Sequence, residues 1–137
     1  MSTKKTRILI VENDKNMQKL LAGAIDMKLG DSIEIIPALY EREALEKFSG
    51  NSDFALIMID GKIPAPYGNS PEGTTIELVR KFRKWGYQGP ILAISNDTFG
   101  EQSLQKQIVA AGGPNTYEAD KTKISEVADV IKEILKI

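Results

Sequence analysis

Asp60 directly follows FALIMI (54–59), so a carboxylate emerges at the end of an apolar run. Glu12, Asn13 and Asp14 follow a second such run, RILIV (7–11). Ser95 and Asn96 follow PILAI (90–94), and Asp120 and Lys121 follow NTYEA (115–119). Two carboxylates and an amide facing a lone Asp make a set of hard oxygen donors. Such a set suits Mg²⁺, which takes oxygen ligands in octahedral geometry and keeps several waters. A carboxylate is also a nucleophile that can accept a phosphoryl group as an acyl phosphate. Phosphoryl transfer asks for in-line positioning and positive charge on the phosphoryl oxygens rather than covalent work by the protein. Mg²⁺, the Lys121 ammonium and the Ser95 hydroxyl can each take one oxygen, with Asp60 as the acceptor.

The remaining composition narrows the chemistry. The chain has 137 residues with neither Cys nor His. Disulfides, thiol nucleophiles, cysteine-based zinc sites and phosphohistidine are therefore excluded. Eighteen Lys+Arg against nineteen Asp+Glu give a net charge of -1, which argues against nucleic acid, whose binding needs a concentrated positive face. No run reaches the ~18–20 apolar residues of a membrane span. The basic MSTKKTR start leads into an apolar run too short for a signal peptide, so a cytoplasmic location is expected.

These residues must be held by the elements around them. Short β-branched runs at Arg7–Val11, Ser32–Ile36, Phe54–Ile59, Pro90–Ile94 and, least pronounced, Asn115–Ala119 alternate with longer segments of helical period. Apolar runs without polar alternation fit parallel strands covered on both faces. Asp14 is placed to cap the first helix, in which Met17, Leu20, Leu21, Ala24 and Ile25 share a stripe and Gly30 ends the run. Further helices are expected over Glu41–Phe48, over about Thr74–Trp85, around Leu104, Ile108 and Ala111 up to Gly112-Gly113, and from Ile124 to the C-terminus. The order predicts one α/β domain over 1–137, a doubly wound five-stranded parallel sheet between two helix layers. In such sheets ligands sit at the carboxyl ends of the strands, where the residues named above fall. Trp85 and Tyr87 are expected to plug the opposite end of the sheet, and KFRKW (81–85) to be a solvated face.

Taken together and in order, these segments resemble the response-regulator receiver domain of two-component signalling. ILIVEND (8–14) is similar to that family's acidic strand end. IDGKIP (59–64) is similar to its phosphoacceptor segment, EAL (43–45) to its second helix and ILAIS (91–95) to its fourth strand. The resemblance covers essentially the whole chain. It implies a flavodoxin-like sandwich with strand order 2-1-3-4-5. It also implies phosphorylation of Asp60 by a histidine kinase or histidine phosphotransfer protein. The metal would be Mg²⁺ on Glu12, Asn13, Asp60 and the backbone carbonyl of Lys62. Ser95 would be the switch hydroxyl, Lys121 the charge partner of the phosphoryl group and Tyr117 the aromatic switch. A downstream protein target would read the switched surface, with no role for nucleic acid or a membrane. Lys62 and Asp97 stand where the family tunes dephosphorylation; opposite charges there predict slow loss of phosphate.

The chain also departs from the family. Asn13 replaces a usual Asp, which weakens the metal site. Lys121 is followed by Thr122, not Pro. About five extra residues, within APYGNSPE, lie between Pro64 and Gly73. These departures favour an alternative, a pseudo-receiver that docks proteins without being phosphorylated. A third reading, a Mg²⁺-dependent Toprim-like nuclease or a phosphatase, has less in its favour, since residues 60–62 read Asp-Gly-Lys and not Asp-x-Asp.

Overall fold

The computed structural model describes residues 5–60, 71–95, 99–120 and 123–136. Five parallel strands alternate with five helices. Strand β1 (Thr6–Val11) leads into α1 (Lys15–Leu29), a short 3₁₀ turn and β2 (Ile33–Ala38). Then come α2 (Glu41–Gly50), β3 (Leu56–Asp60), α3 (Pro71–Lys84), β4 (Ile91–Ser95), α4 (Phe99–Gly112), β5 (Thr116–Asp120) and α5 (Ile124–Leu135). The sheet order is β2-β1-β3-β4-β5, the doubly wound arrangement of the sequence reading.

The register follows from apolar patterning. Ile8 lies opposite Ile35 and Leu56, Ile59 opposite Val11 and Ala93, and Ser95 opposite Asp120. Alternate residues of each strand point to opposite faces. Ile8, Ile10, Leu56, Met58, Leu92 and Ile94 therefore pack with Leu21 and Ile25 of α1 and Val127 and Ile131 of α5. Leu9, Val11, Ile57, Ile59, Ile91 and Ala93 pack on the other face with Phe48 of α2, Leu78 and Phe82 of α3 and Ile108 of α4. All five residues of β3 are buried. This explains why its sequence shows no polar alternation before Asp60.

Local signals set the helix ends. The Asp14 carboxylate accepts the N–H groups of Asn16 and Met17 at 2.8 and 3.3 Å, a side-chain N-cap. Gly30 (φ 76°) and Gly113 (φ 81°) take the left-handed turns that end α1 and α4. Helix α3 begins at Pro71, five residues before its first apolar residue, Ile76. Proline suits a first helical turn because its fixed φ is helical and its missing N–H would have had no partner there.

The amino end of the sheet is closed by aromatic residues, as expected for Tyr87 but not for Trp85. Tyr87 is buried, and its hydroxyl donates toward the carbonyls of Phe54 (3.3 Å) and Pro90 (3.1 Å). Burial raises its phenol well above the ordinary value. Trp85 is 50% exposed and leans on Phe48 with ring centroids 6.1 Å apart. KFRKW is not the solvated face read from sequence. Phe82 is core, and Lys81 pairs with Glu41 at 2.9 Å. The Arg83 guanidinium turns inward, donating to the carbonyls of Gly112 (2.7 Å), Tyr87 (3.0 Å), Gly89 (2.6 Å) and Asn115 (3.0 Å). One side chain thus ties the turn before β4 to the turn before β5. Five donors in a rigid fork make Arg, not Lys, the residue for that task.

Candidate functional site

The carboxyl ends of β1, β3, β4 and β5 bring Glu12, Asp60, Ser95 and Asp120, all singled out from sequence, to one edge of the sheet. Val11 is level with Ile59, so Glu12 is one step past the end of β1 and level with Asp60, the last residue of β3. Strand alternation turns both toward the α1–α5 face. Asp60 is 3% exposed and Glu12 1%. Thr75, on the first turns of α3 and fully buried, donates its hydroxyl to the Asp60 carbonyl at 3.2 Å. This bond ties the start of α3 to the end of the central strand; nothing in the sequence pattern pointed to it.

On the other side of β3, Ile94 is level with Asp60, so Ser95 extends one residue beyond it. Ser95 is 1% exposed, and its hydroxyl has no hydrogen-bond partner among the described residues. A buried hydroxyl without a partner costs free energy. Its register partner is Asp120.

The metal-donor set is thinner than the sequence suggested. Asp14 is engaged as the cap of α1 and so does not make up for the amide at Asn13. Among the described residues no group of three Asp, Glu, His or Cys side chains could hold a metal ion. Glu12 and Asp60 with the Asn13 carbonyl oxygen fit a weakly held Mg²⁺ that keeps several waters, and do not fit a tight all-protein cage.

Gln18 was missed in the sequence, where it reads as a polar residue in an amphipathic helix. It is buried, and its amide donates to the carbonyls of Ile10 (2.7 Å), Glu12 (3.3 Å) and Ala38 (3.0 Å). It thereby fixes the backbone from which Glu12 projects. Its place beside the core residues Leu21 and Ile25 on the helical wheel was the available signal.

Tyr117 lies apart from this cluster. It is level with Leu92, three steps before the end of β5, and 41% exposed. Its hydroxyl donates to the Asn115 side chain at 3.0 Å, toward the amino end of the strand. Lys62, Asp97, Lys121 and Thr122 lie outside the described residues, as does most of APYGNSPE (65–72).

Solved structures that resemble this one are receiver domains in large number. A response regulator receiver domain protein from Clostridium thermocellum superposes with a TM-score of 0.75 at 14% identity, covering 96% of this chain and 94% of that one. The N-terminal domain of a response regulator/sensory box/GGDEF protein from Carboxydothermus hydrogenoformans does so at 0.72 and 20% identity, covering 96% and 94%. The BeF3-activated DrrB receiver domain follows at 0.68 and 16%, covering 97% and 99%. No protein-family model matches the sequence, and neither does any curated protein. At these identities the likeness establishes the fold, which is that of receiver domains.

Proposed function

We propose that this chain is a phosphoacceptor receiver domain in which Asp60 takes a phosphoryl group from a phosphohistidine donor. A carboxylate oxygen of Asp60 attacks phosphorus, the P–N bond of the donor breaks, and an acyl phosphate forms as the imidazole leaves. Glu12, Asn13 and Asp60 would hold a Mg²⁺, which when bound neutralises charge on the phosphoryl oxygens. The observation that carries this reading is the pair of buried groups at adjacent strand ends: the Asp60 carboxyl and the Ser95 hydroxyl, which has no hydrogen-bond partner among the described residues. The new charge of about -2 on Asp60 draws the Ser95 hydroxyl toward it. A bistable surface at α4, β5 and α5 passes the change to a protein target. Donor, target and a cytoplasmic setting belong to the same proposal. No described helix is long and apolar enough to cross a membrane.

Two observations favour a second reading, a docking module of the same fold that is never phosphorylated. Asp60 is only 3% exposed, and the register partner of Ser95 is an acid, Asp120, at a place where a phosphoryl group calls for a cation. One experiment separates the two. The protein is incubated with Mg²⁺ and acetyl phosphate, or with a phosphorylated histidine phosphotransfer protein, and its intact mass is measured. Gain of one phosphoryl group that Asp60→Asn abolishes supports the receiver reading. No gain from either donor leaves the docking module.

A further inference from the structure

A groove of about 530 Å³ runs along the outer edge of the sheet between α1 and α2, away from Asp60. Its floor is apolar, formed by Ala22, Ile35, Pro37 and Leu39. Lys15 and Lys19, one turn apart on α1, line one wall, and Lys47 of α2 lines the other. All three are exposed, and none makes an ion pair among the described residues. Glu43, the one acid in the lining, is engaged by the Leu39 N–H at 2.7 Å.

The backbone along this edge restricts what can bind. The Ala38 carbonyl accepts from the N–H of Glu12 (2.9 Å) and the amide of Gln18 (3.0 Å), so it points inward to β1. Pro37 and Leu39 on either side of it therefore present their backbone outward. Pro37 has no N–H, and Glu43 holds that of Leu39. An incoming strand finds no donor at these two positions, and of the groove's β2 residues Ile35 alone turns an N–H outward, so side chains carry most of the recognition.

We propose that this groove docks an acidic segment of a partner protein, with an apolar residue on the floor and carboxylates on both sides of it. The charge distribution selects this occupant. Lysines flank the floor from two helices, so a segment with acids on either side of its anchor meets both walls, whereas a single-headed amphiphile meets one. The volume lies in the ~300–1,000 Å³ range of sites that take a ligand or a small cluster of side chains. The proposal does not rest on phosphorylation of Asp60.

The test is an amide NMR titration of the full chain with three probes. These are a hexapeptide of two apolar residues flanked on each side by two glutamates, the same peptide with lysines for glutamates, and octanoate. The acidic peptide is expected to shift the amides of Lys19, Ile35, Leu39 and Lys47, equally in wild type and in Asp60→Asn. The lysine peptide is expected to leave them in place. Lys15→Gln, Lys19→Gln and Lys47→Gln combined should weaken the acidic peptide about tenfold, roughly twofold for each exposed pair lost. The triple Lys→Glu variant should bind the lysine peptide instead. The proposal is overturned if the shifts fall on the solvent side of α1 at Leu20 and Met27. It is also overturned if octanoate occupies the groove as tightly as the peptide, if both peptides bind alike, or if those amides shift with protein concentration alone, which would make a second copy the occupant.

Discussion

Ser95 and Asp120 face each other on the last rung of the β4–β5 ladder, and strand alternation turns both toward the α3–α4 face. A hydroxyl with no hydrogen-bond partner among the described residues thus lies level with a carboxylate two strands away from Asp60. An anion delivered to Asp60 feels that carboxylate's charge across two strand spacings. At an effective dielectric near 20, two unit charges ~10 Å apart, two strand spacings, interact by ~1.7 kcal/mol, and salt reduces this to about 0.5 kcal/mol. Asp120→Asn is therefore expected to raise the steady-state phosphorylation of Asp60 by acetyl phosphate about twofold, measured as the phosphorylated fraction by intact mass.

Asn13 leaves the strand-end donor set one charge short, and Asp14 is held at the helix cap. Asn13→Asp should tighten Mg²⁺ binding by about tenfold, the equivalent of ~1.4 kcal/mol, read by calorimetric titration. Asp14→Ala should leave the Mg²⁺ affinity unchanged while lowering stability by ~1 kcal/mol through loss of the cap. A drop in Mg²⁺ affinity for Asp14→Ala would assign that residue to the metal instead.

Arg83 holds four backbone carbonyls at the far end of the sheet. Arg83→Ala is expected to cost about 3 kcal/mol in urea denaturation, because the carbonyls it leaves are partly buried. Arg83→Lys should recover less than half of the loss, since one ammonium cannot reach both turns.

Burial holds the Tyr87 phenol above its ordinary value. The folded protein therefore keeps this proton at pH values where the unfolded chain loses it. Stability is fully present below pH ~10, the unfolded tyrosine value, and falls as pH rises beyond it, by up to ~1.4 kcal/mol per pH unit. Denaturation midpoints between pH 9 and 11 should show the decline. Tyr87→Phe should flatten it, and should lower stability at neutral pH by ~1 kcal/mol through loss of the bonds to Phe54 and Pro90.

The architecture was readable because burial writes itself into residue order. Strand starts and ends differ from the sequence reading by one or two residues: β2 runs on through Pro37 to Ala38, and β3 starts at Leu56 rather than Phe54. Proline is tolerated there because β2 is an edge strand, which no local pattern reveals. Asp14 as a cap, Glu12 and Asp60 at neighbouring strand ends, and Ser95 beside them all followed from what comes after an apolar run. Three things did not follow. The pairing of Ser95 with Asp120 depends on how the α4–β5 turn sets register across two strands. Gln18 and Arg83 look like surface residues in one dimension and become internal clamps only once distant carbonyls surround them. Tyr117 has the right type and approximate position for a switch, yet its hydroxyl is engaged at Asn115.

The chain has one tryptophan, and it rests on Phe48 at the end of the sheet remote from Asp60. The protein thus carries its own optical gauge of how far a disturbance spreads. Indole emission that stays constant while Asp60 is chemically altered marks an event confined to the strand-end rim. A change in colour or intensity marks a signal that has crossed the full height of the sheet through Phe48 and Phe82, with no dye attached.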